Sequence, residues 1–167
     1  MRGMWAAGAA LLVCLALGGT PVVAQGETEM RPALITGTEH CSVDDASPSP
    51  IPADVDVACD QRLSDPRVTG VGYVTWLGEA PVGLELSWGN FTLKGPDGDW
   101  VGPFTGMYDT GLKKNVYLIT TEGTDAYEGW AFVGMWLSAM DGQPTQVNGI
   151  IYQGAAPPME WPELPTA

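Results

Sequence analysis

From Val68 to Gln153 the chain repeats one pattern: short aromatic and β-branched runs alternate with clusters of Gly, Asp, Asn and Pro. Side chains of the first kind suit a pleated surface, and the clusters between them supply turns. No stretch of twelve or more residues beyond residue 24 keeps a helical period. The pattern predicts strands near 68–77, 84–94, 99–108, 115–122, 127–138 and 146–153. A first strand is predicted over 33–41, through Leu34-Ile35-Thr36-Gly37-Thr38. That makes seven, with an irregular eighth around Val55 to Arg62. Lys94-Gly95-Pro96-Asp97-Gly98-Asp99 holds an Asp-Gly pair between two runs, a strong hairpin signal. Tyr108 to Asn115 and Met140 to Pro144 read as further hairpin loops. Consecutive strands joined by short turns form an antiparallel meander. Seven or eight such strands lose their exposed edges by closing into a barrel. The expected fold class is therefore all-β, an antiparallel seven- to eight-stranded barrel.

Alternation within strands predicts the two faces. In 99–108, Trp100, Gly102, Phe104, Gly106 and Tyr108 share one face, and Val101, Pro103, Thr105 and Met107 the other. In 127–138, Trp130, Phe132 and Trp136 share a face with Glu128, Gly134 and Ser138. Tyr127, Ala131, Val133, Met135 and Leu137 share the opposite face, so this strand is apolar on both sides. Such a strand is expected to have its outer face covered by a loop, a tail or a partner.

The chain opens with Met1-Arg2, an apolar run from Ala6 to Leu17, and small residues up to Ala24. A charged start, a short apolar core and an A-x-A-like end make a secretory signal. The run is shorter than the roughly 20 apolar residues of a membrane span. Cys14 lies inside the run behind Val13, which does not fit a lipid-attachment site. The expected organisation is a signal peptide over 1–24, a flexible lead-in over 25–32, a single barrel domain over 33–154 and a Pro-rich acidic tail over 155–167. The tail carries Trp161. The expected location is secreted, or periplasmic in a two-membrane bacterium.

Loss of residues 1–24 leaves two cysteines, Cys41 and Cys59. Two cysteines in an exported chain allow one pairing. The loop between them holds Ser47-Pro48-Ser49-Pro50-Ile51-Pro52, which excludes a helix or a central strand.

The whole chain has 7 Lys and Arg against 20 Asp and Glu, a formal net charge of −13. The signal holds Arg2 and no acid, so its removal leaves six basic residues against twenty acidic ones, or −14. That balance argues against nucleic acid and against an anionic membrane surface. It does not make the chain disordered, because apolar residues form 45% of it.

Thr120-Thr121-Glu122-Gly123-Thr124-Asp125-Ala126-Tyr127-Glu128-Gly129-Trp130 is the most distinctive segment. It resembles the G-T-x-x-Y-x-G segment of secreted β-barrel proteins similar to allene oxide cyclases and plant dirigent proteins. The chain also resembles exported bacterial proteins with the same Cys-loop and barrel rhythm. The resemblance covers about residues 67–153 by strand rhythm. It implies an eight-stranded, calycin-like antiparallel barrel, often oligomeric, with an aromatic residue starting the strand after the turn. It implies no cyclase or coupling-directing activity, and no catalytic position of either family maps onto this chain. The disulfide loop and the acidic content depart from the plant proteins.

Chemistry-bearing residues are sparse. The chain has 1 His, His40, beside a cysteine expected to be bridged. Neither a metal-ligand set nor a Ser-His arrangement can be built from it, and no G-x-S-x-G occurs. Asp44, Asp45, Asp54, Asp56, Asp60 and Asp65 crowd the disulfide loop without a calcium-loop spacing, and read as solvated. No catalytic residue, metal or cofactor is expected. The aromatic surplus is more promising: Trp76, Trp88, Trp100, Trp130 and Trp136 are candidate ligand-binding residues in an aromatic-lined barrel. Alternatively they are core, since a small barrel can be filled by its own side chains.

These readings favour a secreted, non-catalytic structural or interaction domain. The alternatives are a binder of a small apolar or sugar ligand and, behind it, a cyclase-like enzyme. Candidate partners are a second copy or a small ligand. An open cavity lined by Trp and Met would separate the last two classes from the first. An ionisable residue pointing into that cavity would favour an enzyme over a simple binder.

Overall fold

Eight antiparallel strands close on themselves in chain order: β1 (Ala33–Ser42), β2 (Val57–Leu63), β3 (Gly70–Pro81), β4 (Glu85–Lys94), β5 (Asp99–Asp109), β6 (Lys114–Gly123), β7 (Trp130–Ser138) and β8 (Thr145–Gln153). The computed structural model describes residues 30–42, 51–81, 85–109, 111, 113–138 and 143–160. The barrel belongs to the unit Arg31–Ala167. Each strand pairs with the next. β8 returns to β1, from Ala33 opposite Ile151 to Glu39 opposite Thr145. Closure leaves neither terminal strand with an unpaired edge. The expected signal, most of the lead-in and Trp161 lie outside the described residues.

The irregular eighth strand is β2, and two boundaries differ from expectation by more than two residues. β3 runs to Pro81 because a register shift between Trp76 and Gly78 lets pairing resume beyond it. Tyr127 does not start a strand. It ends a 3-10 turn, Asp125–Tyr127, and β7 begins at Trp130. Positive φ at Asp125 (53°) and Gly129 (79°) interrupts the extended backbone on both sides of Tyr127.

The predicted faces of β5 and β7 hold except at Tyr127, which was expected on the face of Met135 and Leu137 but leaves the strand and packs inward on Trp100. Trp100, Phe104, Phe132 and Trp136 point inward and are at most 2% exposed. Val101, Met107, Met135 and Leu137 point outward and are 38–45% exposed. Inside, the rings form a continuous column. Tyr127 stacks on Trp100 with centroids 5.0 Å apart, and Trp100 meets Phe132 edge-on at 6.0 Å. Phe132 then meets Trp136 at 5.7 Å, and Trp136 meets Phe91 at 5.8 Å. Glycines on the wall make room for it. A Cβ on Gly134 would lie 2.5 Å from the Trp136 ring, so that ring can lie flat only over bare backbone.

One end of the barrel is plugged. Here the β2–β3 connection folds into a 3-10 turn, Pro66–Val68, with Val68 fully buried. The Trp100 indole N–H donates to the Arg67 carbonyl at 2.8 Å. Asp65 caps this turn and accepts two hydrogen bonds from the Arg67 guanidinium, at 2.9 and 2.7 Å. That guanidinium holds the Asp65 carboxyl below its ordinary range. Tyr127 closes the plug, its hydroxyl accepting the Asp97 N–H at 3.3 Å. The G-T-x-x-Y-x-G segment thus builds the closed end of the barrel.

Because Tyr127 is 2% exposed and stacked, Tyr127→Ala should cost about 3 kcal/mol or more in urea unfolding. Tyr127→Phe keeps the ring and should cost about 1 kcal/mol. Equal costs for the two would contradict a plug made by stacking.

Candidate functional site

The inward residues at the opposite end are shorter and more polar, and they leave space. This is where β1 ends and β2 begins, with Glu39 and Cys41 facing Gln61 and Cys59 across the ladder. A cavity of about 310 Å³ lies here. Phe91, Phe104 and Trp136 form its floor, Val57, Val74 and Ile119 its walls, and Ser138 and Thr145 sit near the strand ends. A second recess of about 480 Å³ adjoins it and reaches Glu85, Ser87 and Tyr108. The two share Trp76, Asn115 and Tyr117. Tyr117 is set in place by a glycine: a Cβ on Gly106 would lie 2.3 Å from its ring. The same ring meets Phe104 edge-on at 6.1 Å.

The carboxyl of the inner cavity is Glu39, 8% exposed, and Tyr117 is the other ionisable side chain that lines it. The Gln61 side-chain amide donates to its Oε2. Its Oε1 lies 3.1 Å from the Cys41 Sγ. A disulfide sulfur carries no proton, so this contact gives the oxygen no donor. The Trp136 indole N–H lies close enough to favour the charged carboxylate, yet closes no hydrogen bond of normal geometry. Gln61 Oε1, also buried, has no hydrogen-bond partner. Burial therefore dominates and pushes the Glu39 carboxyl from its usual 4.5 up to about 7, with Gln61 and Trp136 pulling weakly the other way.

The Cys41–Cys59 disulfide is formed. It is a rung between directly paired residues of adjacent strands and lines the cavity. Cys59 is 1% exposed and belongs to the barrel wall. Glu39, Cys41 and Cys59 bring their ligand atoms within 4.8 Å of one another. Metal binding by cysteine requires thiolate, which the joined sulfurs do not offer. His40 points outward and is exposed. Of the acidic residues near the disulfide loop, Asp56 accepts the Trp76 N–H at 2.7 Å, and Asp60 pairs with Arg62 at 2.9 Å. Asp44 and Asp45 lie outside the described residues.

The five candidate tryptophans separate by position. Trp76 and Trp136 line the cavity. Trp100 is fully buried at the plugged end. Trp88 lies on the outer side against Gly78, where a Cβ would meet its ring at 2.2 Å. Trp130, half-buried, starts β7 at the plugged end. Glu39, Gln61, Asn115 and Tyr117 were missed as site residues. One available signal was spacing: Glu39 lies two residues from Cys41 and Gln61 two from Cys59, which puts all four on one face.

No protein-family model, curated protein or solved structure matches this chain.

A raised carboxyl pKa has a definite sign for stability. The contribution of Glu39 is fully favourable below about pH 4.5 and is lost as pH rises through about 7. Glu39→Gln keeps an acceptor for Gln61 and removes the charge. The stability gained by this variant over wild type should grow between pH 5 and pH 8, by up to about 3 kcal/mol in urea unfolding. A difference independent of pH would mean that Glu39 titrates normally.

Proposed function

We propose that the protein is an exported binding barrel that holds one small, largely apolar molecule in the cavity between Trp76, Tyr117 and Trp136. The observation that carries this reading is the uneven filling of the interior. One end is packed by the aromatic column, and the other keeps about 310 Å³ walled mostly by apolar and aromatic side chains. That volume lies at the lower end of the range for small-molecule sites, and the composition of the walls is typical of them.

Export is part of the proposal. The disulfide suits an oxidising compartment. No helix among the described residues is long and apolar enough to cross a membrane. The signal pattern of residues 1–24 supplies the route.

Glu39 in the cavity raises the enzymatic alternative, since a carboxyl near neutral pKa suits general acid–base chemistry. The groups in contact with it are the Gln61 amide, the Trp136 indole and the Cys41 sulfur. These offer neither a nucleophile nor a second acid, so binding is the reading better supported. A surface for association is a second reading. Met107, Leu118, Met135 and Leu137 share the outer face of β5 to β7 and are 38–45% exposed. Sedimentation of the purified protein tests it, and a monomer at all concentrations would remove it.

The binding reading is tested with the uncharged fluorescent probe N-phenyl-1-naphthylamine. Its emission should rise and saturate at one probe per chain. Val74→Trp, which fills the cavity, should abolish the response. Trp76→Ala removes a wall that is 45% exposed and should weaken binding about fivefold with little loss of stability. A wild-type protein that gives no saturable signal would overturn the reading.

A further inference from the structure

We infer that the ligand is an amine: a single ammonium group seated on the Glu39 carboxylate, with an apolar body against Trp76, Tyr117 and Trp136. This rests on the binding reading proposed above.

A buried carboxylate is costly unless several donors satisfy it. Glu39 receives one full hydrogen bond, from Gln61, while its Oε1 faces the proton-less sulfur of Cys41. Gln61 Oε1, 0% exposed, adds another acceptor without a partner. Two acceptors, Glu39 Oε1 and Gln61 Oε1, thus stand against one unpartnered donor, the Trp136 indole N–H, and an ammonium brings three donors and no acceptor.

Charge points the same way. The ionisable residues lining the two cavities are Glu39, Glu85, Tyr108 and Tyr117, with no Lys, Arg or His among the described lining residues. The chain as a whole carries −13, which draws cations and repels anions. The aromatic walls add to this, because indole and phenol faces attract cations and are worth most where water is excluded. A neutral apolar ligand would bury Glu39 further without giving it a donor. A sugar would meet walls that are mostly apolar.

The groups around Glu39 are uncharged: Gln61 on β2, Thr145 opposite it on β8, Trp136 on β7 and the disulfide sulfur of Cys41 on β1. Amine binding should therefore strengthen as pH rises through the titration of this one carboxyl, while binding of the uncharged probe should not.

The test is displacement of N-phenyl-1-naphthylamine by matched pairs: 2-phenylethylamine against 2-phenylethanol, and tryptamine against tryptophol. At pH 8 each amine should compete about tenfold better than its alcohol. The advantage should shrink at pH 5.5. In Glu39→Gln it should fall to about twofold or less, read as the amine-to-alcohol ratio within the same variant so that any change in probe affinity cancels. Equal competition by amine and alcohol, or no competition by either against a bound probe, would overturn the inference and leave the binding reading standing. So would an amine preference that survives Glu39→Gln. No probe binding by wild type would instead overturn the binding reading, and the inference with it.

Discussion

The interior volume of an eight-stranded barrel is the constraint on which this structure turns. Eight strands enclose a space that side chains can just fill. How evenly it is filled depends on which inward positions carry large residues. Toward the plug those positions hold Trp100, Phe104, Phe132 and Leu93, all at most 2% exposed. Beyond Trp136 they hold Glu39, Cys41, Asn115, Ser138 and Thr145. The change from large rings to short polar groups along the same strands turns a packed core into a cavity. The two 3-10 turns reinforce the asymmetry, because both lie at the same end and push Val68 and Tyr127 into it.

Glu39 works against the stability of the molecule. An apolar side chain of similar size would be tolerated in the same wall without desolvating a charge. The native state instead keeps a carboxyl whose charged form is disfavoured by burial. Groups that oppose folding and face a cavity are candidates for function, because local consistency with the fold does not explain them. Gln61 is in the same position, since an amide with one unpartnered oxygen is a poor choice for filler at full burial.

Most of the fold was legible because strand alternation and turn chemistry are local signals. The β4–β5 hairpin is readable from Asp97-Gly98, and its strands lie within one residue of expectation. β2 was faint because Asp60, Gln61 and Arg62 follow one another, which blurs the contrast between its faces. The end of β3 was missed because a bulge resets alternation after Trp76. The site was legible only in part. Alternation grouped Trp100 with Phe104 and Trp136 with Phe132 but could not say how deep along the axis each would sit. That depth depends on the stagger of all eight strands, which is not a local property. Glu39 was hidden among many acids, and an acid in a strand ordinarily faces water.

The disulfide ties site and fold together through register. A slip of one residue between β1 and β2 would turn Gln61 away from Glu39 to the other face, since side chains alternate with a period of two and β1 is also held by β8. β2 is short and bears polar residues at three successive positions, so its own pattern specifies register weakly. The Cys41–Cys59 rung removes that freedom, because those two residues are direct partners in the ladder and Glu39 and Gln61 are the next inward pair. One covalent bond thereby sets which amide the carboxyl meets. It also closes the chain between residues 41 and 59, which lowers the loop-closure entropy that pairing of the two strands must overcome. The bond acts together with the β1–β8 and β2–β3 ladders, which hold the outer edges of the same two strands.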